Sequence, residues 1–269
     1  MEKYDVIMFL GQSNMQGQSG SVTETSVVKN AWEYKFLTNE LVPLSNPVGE
    51  DIKYDMSEGY AFTEENQDEW RKDIVLGSPL DGCTTLLPEF CREYTRVTGR
   101  NVVAVHAAKG ATTISQWLPG TEGYKAIVTK TAACLKLLGE RVGNIYAVWL
   151  QGESDAIEAT PTDVYTERLI AFKNQLKEDI GIDKFCIIKV GKFVFDERDE
   201  KIFDAQEKLC SSDDDFLMLT RITEKLLDGD KYVYVWGHYN AVGQEIIGRI
   251  AGYNLGAYVT GIPLTSDSI

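Results

Sequence analysis

Short apolar runs alternate with longer amphipathic stretches along most of this chain. The run Tyr4-Asp5-Val6-Ile7-Met8-Phe9-Leu10 has the length and content of a buried strand, and it stops at Gly11. "NVVAVHAA" at 101–108, "IYAVWLQ" at 145–151 and "KFCIIKV" at 184–190 are runs of the same kind. Between and after them the spacing predicts helices over 84–97, 122–140, 161–180 and 198–212. The first ends at Thr98-Gly99 and the third carries Pro161 near its first turn. A short strand follows at "FLMLTR", a possible edge strand at "KYVYV", and a last helix over 240–259. Such alternation predicts a mainly parallel sheet covered by helices on both faces, with right-handed crossovers. One stretch breaks the pattern. Residues 17–82 are rich in Ser, Thr, Asn, Asp and Gly and include the acidic "FTEENQDEW", which predicts a long functional loop or a folded insertion. No repeat, low-complexity tract or proline-rich linker divides the chain, so a single domain over 1–269 is the simplest organisation.

Composition narrows the partners more than the fold. Hydrophobic residues at 43% and charged residues at 25% allow a full core. A net charge of −14 speaks against a nucleic-acid partner, which needs clustered Lys and Arg. The longest apolar runs fall far short of a membrane span, and Met1-Glu2-Lys3-Tyr4 enters a strand with no export signal, so a cytoplasmic location is expected. Cys83, Cys91, Cys134, Cys186 and Cys210 are scattered and lack CxxC spacing, which fits free thiols better than disulfides or a zinc site. Without HExxH, EF-hand, P-loop or GxGxxG patterns, no metal or nucleotide cofactor is expected. The pattern does not set an oligomeric state.

Three strand ends carry the candidate chemistry. They read Gly11-Gln12-Ser13-Asn14, Lys109-Gly110-Ala111-Thr112-Thr113 and Gln151-Gly152-Glu153-Ser154-Asp155. In a parallel sheet all three meet at one crevice. Together they offer a hydroxyl, glycine N–H groups, amides and carboxylates, a set suited to acyl transfer with a nucleophile and oxyanion donors. A base is still needed, and the chain has two histidines. His106 lies inside an apolar strand and reads as a core residue. His238, in "VWGHYNAVGQ", stands where a loop enters the last helix; it is either a general base or a residue packing that helix entry, with Asn240 as N-cap.

Gly11-Gln12-Ser13-Asn14-Met15 resembles the first block of the SGNH hydrolase superfamily, in its acetylxylan esterase and sialate O-acetylesterase branch (carbohydrate esterase family six and relatives). "GATTISQW", "VWLQGESDA" and "HYNAVGQEIIG" are similar to that branch's further blocks, in order, so the resemblance spans essentially the whole chain. It implies a flavodoxin-like three-layer α/β/α sandwich and a serine esterase that removes O-acetyl groups from carbohydrates. Ser13 is the implied nucleophile and His238 the base, with the N–H groups of Ser13 and Gly110 and the Gln151 amide as the oxyanion hole. Many relatives place an aspartate three residues before the histidine, where this chain has Val235. Glu153 is then the expected triad acid, ahead of Asp155 and Asp230, the latter in a turn with Asp228 and Gly229. Ala111 replaces a glycine of the branch, which makes the Gly110 loop geometry less certain. Trp117 and Trp236 either line a sugar-binding crevice or pack the core, Trp149 reads as core, and Asn14 braces the serine turn or meets substrate. The expected substrate is a small acetylated carbohydrate of the xylo-oligosaccharide or sialic acid type. The alternatives are an esterase for small non-sugar esters and a carbohydrate-binding relative with a decayed site.

Overall fold

A computed structural model of the chain describes residues 2–21, 23, 26–49 and 84–264. The acidic patch and Cys83 lie outside the described residues. The apolar runs become strands, joined by two that the pattern did not predict. They are β1 (Tyr4–Gly11), β2 (Ala31–Lys35), β3 (Glu40–Pro43), β4 (Asn101–Ala108), β5 (Val142–Leu150), β6 (Lys184–Ile188) and β7 (Phe216–Thr220). They form one seven-stranded sheet in the order β3-β2-β4-β1-β5-β6-β7. Only the β2–β3 pair is antiparallel.

The polar segment before residue 50 hides this hairpin in the sequence. Trp32 and Tyr34 alternate with Glu33 and Lys35, and Asn39 takes a left-handed φ of 53° at the turn. "KYVYV" departs from expectation in the other direction. Its strand β8 (Val233–Val235) leaves the main sheet and pairs with β9 (His238–Tyr239) in a separate two-stranded ribbon.

The helices are α1 (Ser13–Gln16), α2 (Leu87–Thr98), α3 (Glu122–Leu138), α4 (Glu153–Ile157), α5 (Thr162–Asp179), α6 (Glu197–Ser212) and α7 (Ala241–Thr260). Alternation along β1 sends Val6, Met8 and Leu10 into a core with α3, α5 and α6. Ile7 and Phe9 point the other way, into a core with α2 and α7. The result is a three-layer α/β/α arrangement. On the second face α7 approaches α2 closely through Gly248 and Gly252. A Cβ at Gly252 would lie 2.1 Å from the Phe90 carbonyl oxygen, and one at Gly248 would lie 2.3 Å from that of Leu86.

The register of β1 places the site. Gly11 is level with Ala108 of β4 on one side and with Leu150 of β5 on the other. The chain turns toward β4 and β2 first and only later crosses to β5, so β1 is where the strand order reverses. The three polar segments of the sequence therefore leave the sheet side by side.

Candidate active site

Gly11 is required by geometry. Its φ is +144°, and a Cβ there would sit 2.0 Å from the Leu150 carbonyl oxygen. The close approach lets the chain leave β1 and turn at once into α1, closed by Gly17 at φ 93°. Ser13 is the first residue of that helix, so its N–H has no acceptor within the helix.

The β8–β9 ribbon brings His238 to this serine. Its Nε2 lies 2.8 Å from Ser13 Oγ, and its Nδ1 lies 3.0 Å from the backbone oxygen of Val235. A carbonyl oxygen can only accept, so Nδ1 carries the proton and Nε2 presents a lone pair to the serine hydroxyl. The ring also meets the edge of Phe193 at 5.6 Å between centroids. Phe193 is held in turn by Asp199, whose carboxylate accepts from the N–H groups of Phe193, Val194 and Phe195. Burial lowers the His238 pKa from its ordinary value, and the Val235 carbonyl opposes that shift. His106, by contrast, is a core residue, with Nε2 3.0 Å from the Met15 oxygen.

The acid expected at Glu153 is not on the histidine. Its Oε1 accepts instead from Asn14 Nδ2 at 2.7 Å, and the acceptor at Nδ1 is the Val235 carbonyl. The cause is local. Asn14 stands between the two, accepting from Tyr239 N–H at 3.0 Å and donating also to the Gly237 oxygen at 3.2 Å. Gln244 donates to the Asn14 carbonyl at 2.9 Å. Asn14 is thus a buried brace joining the serine turn, the histidine ribbon and α4. Asp155 also stays away from the imidazole. It accepts from Gln151, Ile114 N–H and Thr160 at 2.6, 2.8 and 2.9 Å. Asp230 lies in the exposed turn after Asp228, as expected.

Burial pushes the Glu153 carboxyl up to about 7, against the pull of Asn14 and the nearby Gly152 and Glu153 N–H groups. In the unfolded chain it titrates near 4.5. The folded state therefore holds this proton more tightly. Its contribution is fully present below pH 4.5 and is lost as pH rises through about 7. At roughly 1.4 kcal/mol per pH unit the loss is about 3 kcal/mol. Glu153→Gln keeps an oxygen for Asn14 and removes the charge. Relative to wild type, its unfolding free energy should rise by about 3 kcal/mol between pH 4.5 and pH 8 in denaturant titrations. An unchanged difference across that range would mean that Glu153 is ionised throughout.

Two of the three expected oxyanion donors are otherwise engaged. Gln151 Nε2 is buried and donates to Asp155 Oδ2, the Thr112 oxygen and Gln12 Oε1 at 2.6, 2.9 and 3.1 Å. Its Oε1 accepts from Tyr165 at 3.0 Å, so the whole amide braces the loops. Gly110 N–H donates to Gln16 Oε1 at 2.9 Å. Ala111 follows at φ 57°, a strained left-handed value for a residue with a Cβ. Trp117 belongs to the core. It is fully buried, 5.8 Å from Trp149 edge to face, with Nε1 donating to Thr112. Trp236 has the opposite fate. It is 80% exposed, two residues before His238, at φ 46°. Sequence reasoning missed the Val235 carbonyl, the brace at Asn14–Glu153, and Gln16 and Gln18 beside Gly110. Gln16 and Gln18 stand directly after the serine block and were legible as amides; the backbone acceptor had no side-chain signal.

The model of one protein family, described as carbohydrate esterase, sialic acid-specific acetylesterase, matches residues 3–250. The chain belongs to that family. A probable carbohydrate esterase of Arabidopsis thaliana is 25% identical over 190 residues, 69% of this chain and 68% of that one. The solved structure of that plant protein superposes with a TM-score of 0.68 at 16% identity, over 97% of this chain and all of the other. A carbohydrate acetylesterase from Xanthomonas citri superposes at 0.59 with 16% identity, where 97% of this chain spans 57% of the bacterial one. The family membership makes this a carbohydrate esterase, a hydrolase.

Proposed function

We propose that this carbohydrate esterase is a serine O-acetylesterase working through an acetyl-enzyme on Ser13. The observation that carries the reading is the 2.8 Å contact between Ser13 Oγ and a His238 ring whose tautomer is set by Val235. Ser13 Oγ attacks the acetyl carbonyl as its proton passes to His238 Nε2. The tetrahedral intermediate collapses, its C–O bond to the sugar breaks, and His238 returns the proton to the departing sugar oxygen. Water then attacks the acetyl-serine with the same base, releasing acetate and restoring Ser13. The imidazolium formed in each half is stabilised at Nδ1 by the Val235 carbonyl dipole rather than by a carboxylate. A Ser–His pair with a backbone acceptor is therefore the working unit.

The substrate is an acetylated carbohydrate, of the xylo-oligosaccharide or sialic acid type. Trp236 supports this, because an exposed indole beside the base offers a flat apolar face to a sugar ring. Acetate release from acetylated xylo-oligosaccharide, O-acetylated sialic acid and p-nitrophenyl acetate tests it. Trp236→Ala should raise KM about fivefold to tenfold for the preferred sugar and leave the aryl ester unchanged. Equal kcat/KM on all three, insensitive to Trp236, would replace the sugar reading with a small-ester esterase.

A further inference from the structure

Among the described residues the Gly110 N–H and the Gln151 amide are engaged with protein oxygens, which leaves the Ser13 N–H to be joined by a second donor. We infer that Gln18 supplies it. Gly110 N–H must donate, so the Gln16 atom facing it is Oε1, at 2.9 Å. The Gln18 atom 3.2 Å from that same oxygen must then be Nε2. The chain Gly110 N–H, Gln16 Oε1, Gln18 Nε2 fixes the Gln18 amide over Gly110. A Cβ built on Gly110 would lie 2.6 Å from Gln18 Nε2 and 3.6 Å from Ser13 Cβ, so the amide nitrogen and the serine share one small space. The Gln18 backbone is anchored as well, its N–H donating to the Ser13 carbonyl at 3.1 Å.

A primary amide has two hydrogens, and Gln16 takes one. The second is available to an oxygen bound beside Ser13, and Gln18 is only half-buried. Buried Gln16 is the positioning residue, and Gly110 acts through it. Together with the Ser13 N–H at the start of α1, the Gln18 amide forms a two-donor oxyanion hole. The inference rests on the serine-esterase reading above, and the test separates the two.

Gln18→Met fills similar space without a donor, and Gln18→Glu replaces the donor by an acceptor. Both should lower kcat for p-nitrophenyl acetate by about 10²–10³-fold, with KM within threefold and the thermal midpoint unchanged. A trifluoromethyl ketone, which Ser13 would convert to a tetrahedral hemiketal anion, should lose affinity in each variant by the same factor as kcat/KM. A bystander on the rim would not produce that parallel. Full activity in Gln18→Met, or a loss of activity with no loss of ketone affinity, overturns the assignment while Ser13→Ala remains inactive. Activity retained in Ser13→Ala overturns the serine-esterase reading itself, and the Gln18 assignment with it.

Discussion

Ser13→Ala should lower acetyl-ester hydrolysis by at least about ten-thousandfold while leaving the protein folded. Losing the nucleophile of a serine hydrolase costs about 10⁶ in kcat elsewhere, and what remains comes from binding and oxyanion donors. Here the residual pathway is attack by water activated at His238 Nε2, since the imidazole keeps its Val235 contact when the hydroxyl is gone. The structural cost is small. The described contact of Ser13 Oγ is with His238, and the turn is held by backbone and by Asn14. Initial rates on p-nitrophenyl acetate, with the thermal midpoint as a control for folding, measure both. A rate within tenfold of wild type would mean that Ser13 is not the nucleophile, and with it the Ser13–His238 pair would lose its assigned role.

The contrast between what the sequence revealed and what it hid follows from which groups carry the chemistry. Strand ends are legible because apolar runs stop abruptly, and that places Ser13, Gly110 and Gln151 at one edge from the sequence alone. His238 was legible because histidine is scarce here. The partner of its Nδ1 was not, since every residue has a carbonyl and none advertises that it will accept. Glu153 is the acid that the resemblance implied, but its Oε1 accepts from Asn14 while the Val235 carbonyl meets Nδ1. The Gln151 amide shows a related limit: a residue type shows capacity, whereas the fold decides which partners take it. Asp155, Thr112 and Gln12 surround that amide before a substrate can. The two tryptophans were ambiguous in sequence because both stand at the edge of motif blocks. Trp117 ends a short helical turn packed against α3 and is buried, while Trp236 lies between the two strands of the ribbon and is exposed.

His238→Ala should reduce kcat/KM by about ten-thousandfold, and the wild-type pH profile should report why. Catalysis needs neutral imidazole, and burial holds the His238 pKa below its ordinary 6.5. The rate should therefore rise with a slope of one to a midpoint below pH 6.5 and be level by neutrality. A carboxylate on Nδ1 would act the other way, stabilising imidazolium and moving the midpoint upward. Glu153 gives the internal control. It titrates near 7 but reaches the histidine ribbon only through Asn14, which meets Gly237 and Tyr239 rather than the ring. Glu153→Gln should keep kcat/KM within about tenfold of wild type and leave the acid midpoint in place. Glu153→Ala should do worse than Glu153→Gln, because it removes the acceptor of a buried amide and loosens the brace that aligns Ser13 with His238. A midpoint above 6.5 that falls in Glu153→Gln would instead place the carboxylate on the imidazole during turnover and restore the triad. If the midpoint stays low in both proteins, the Val235 carbonyl suffices, and a serine hydrolase of this design works with two catalytic side chains.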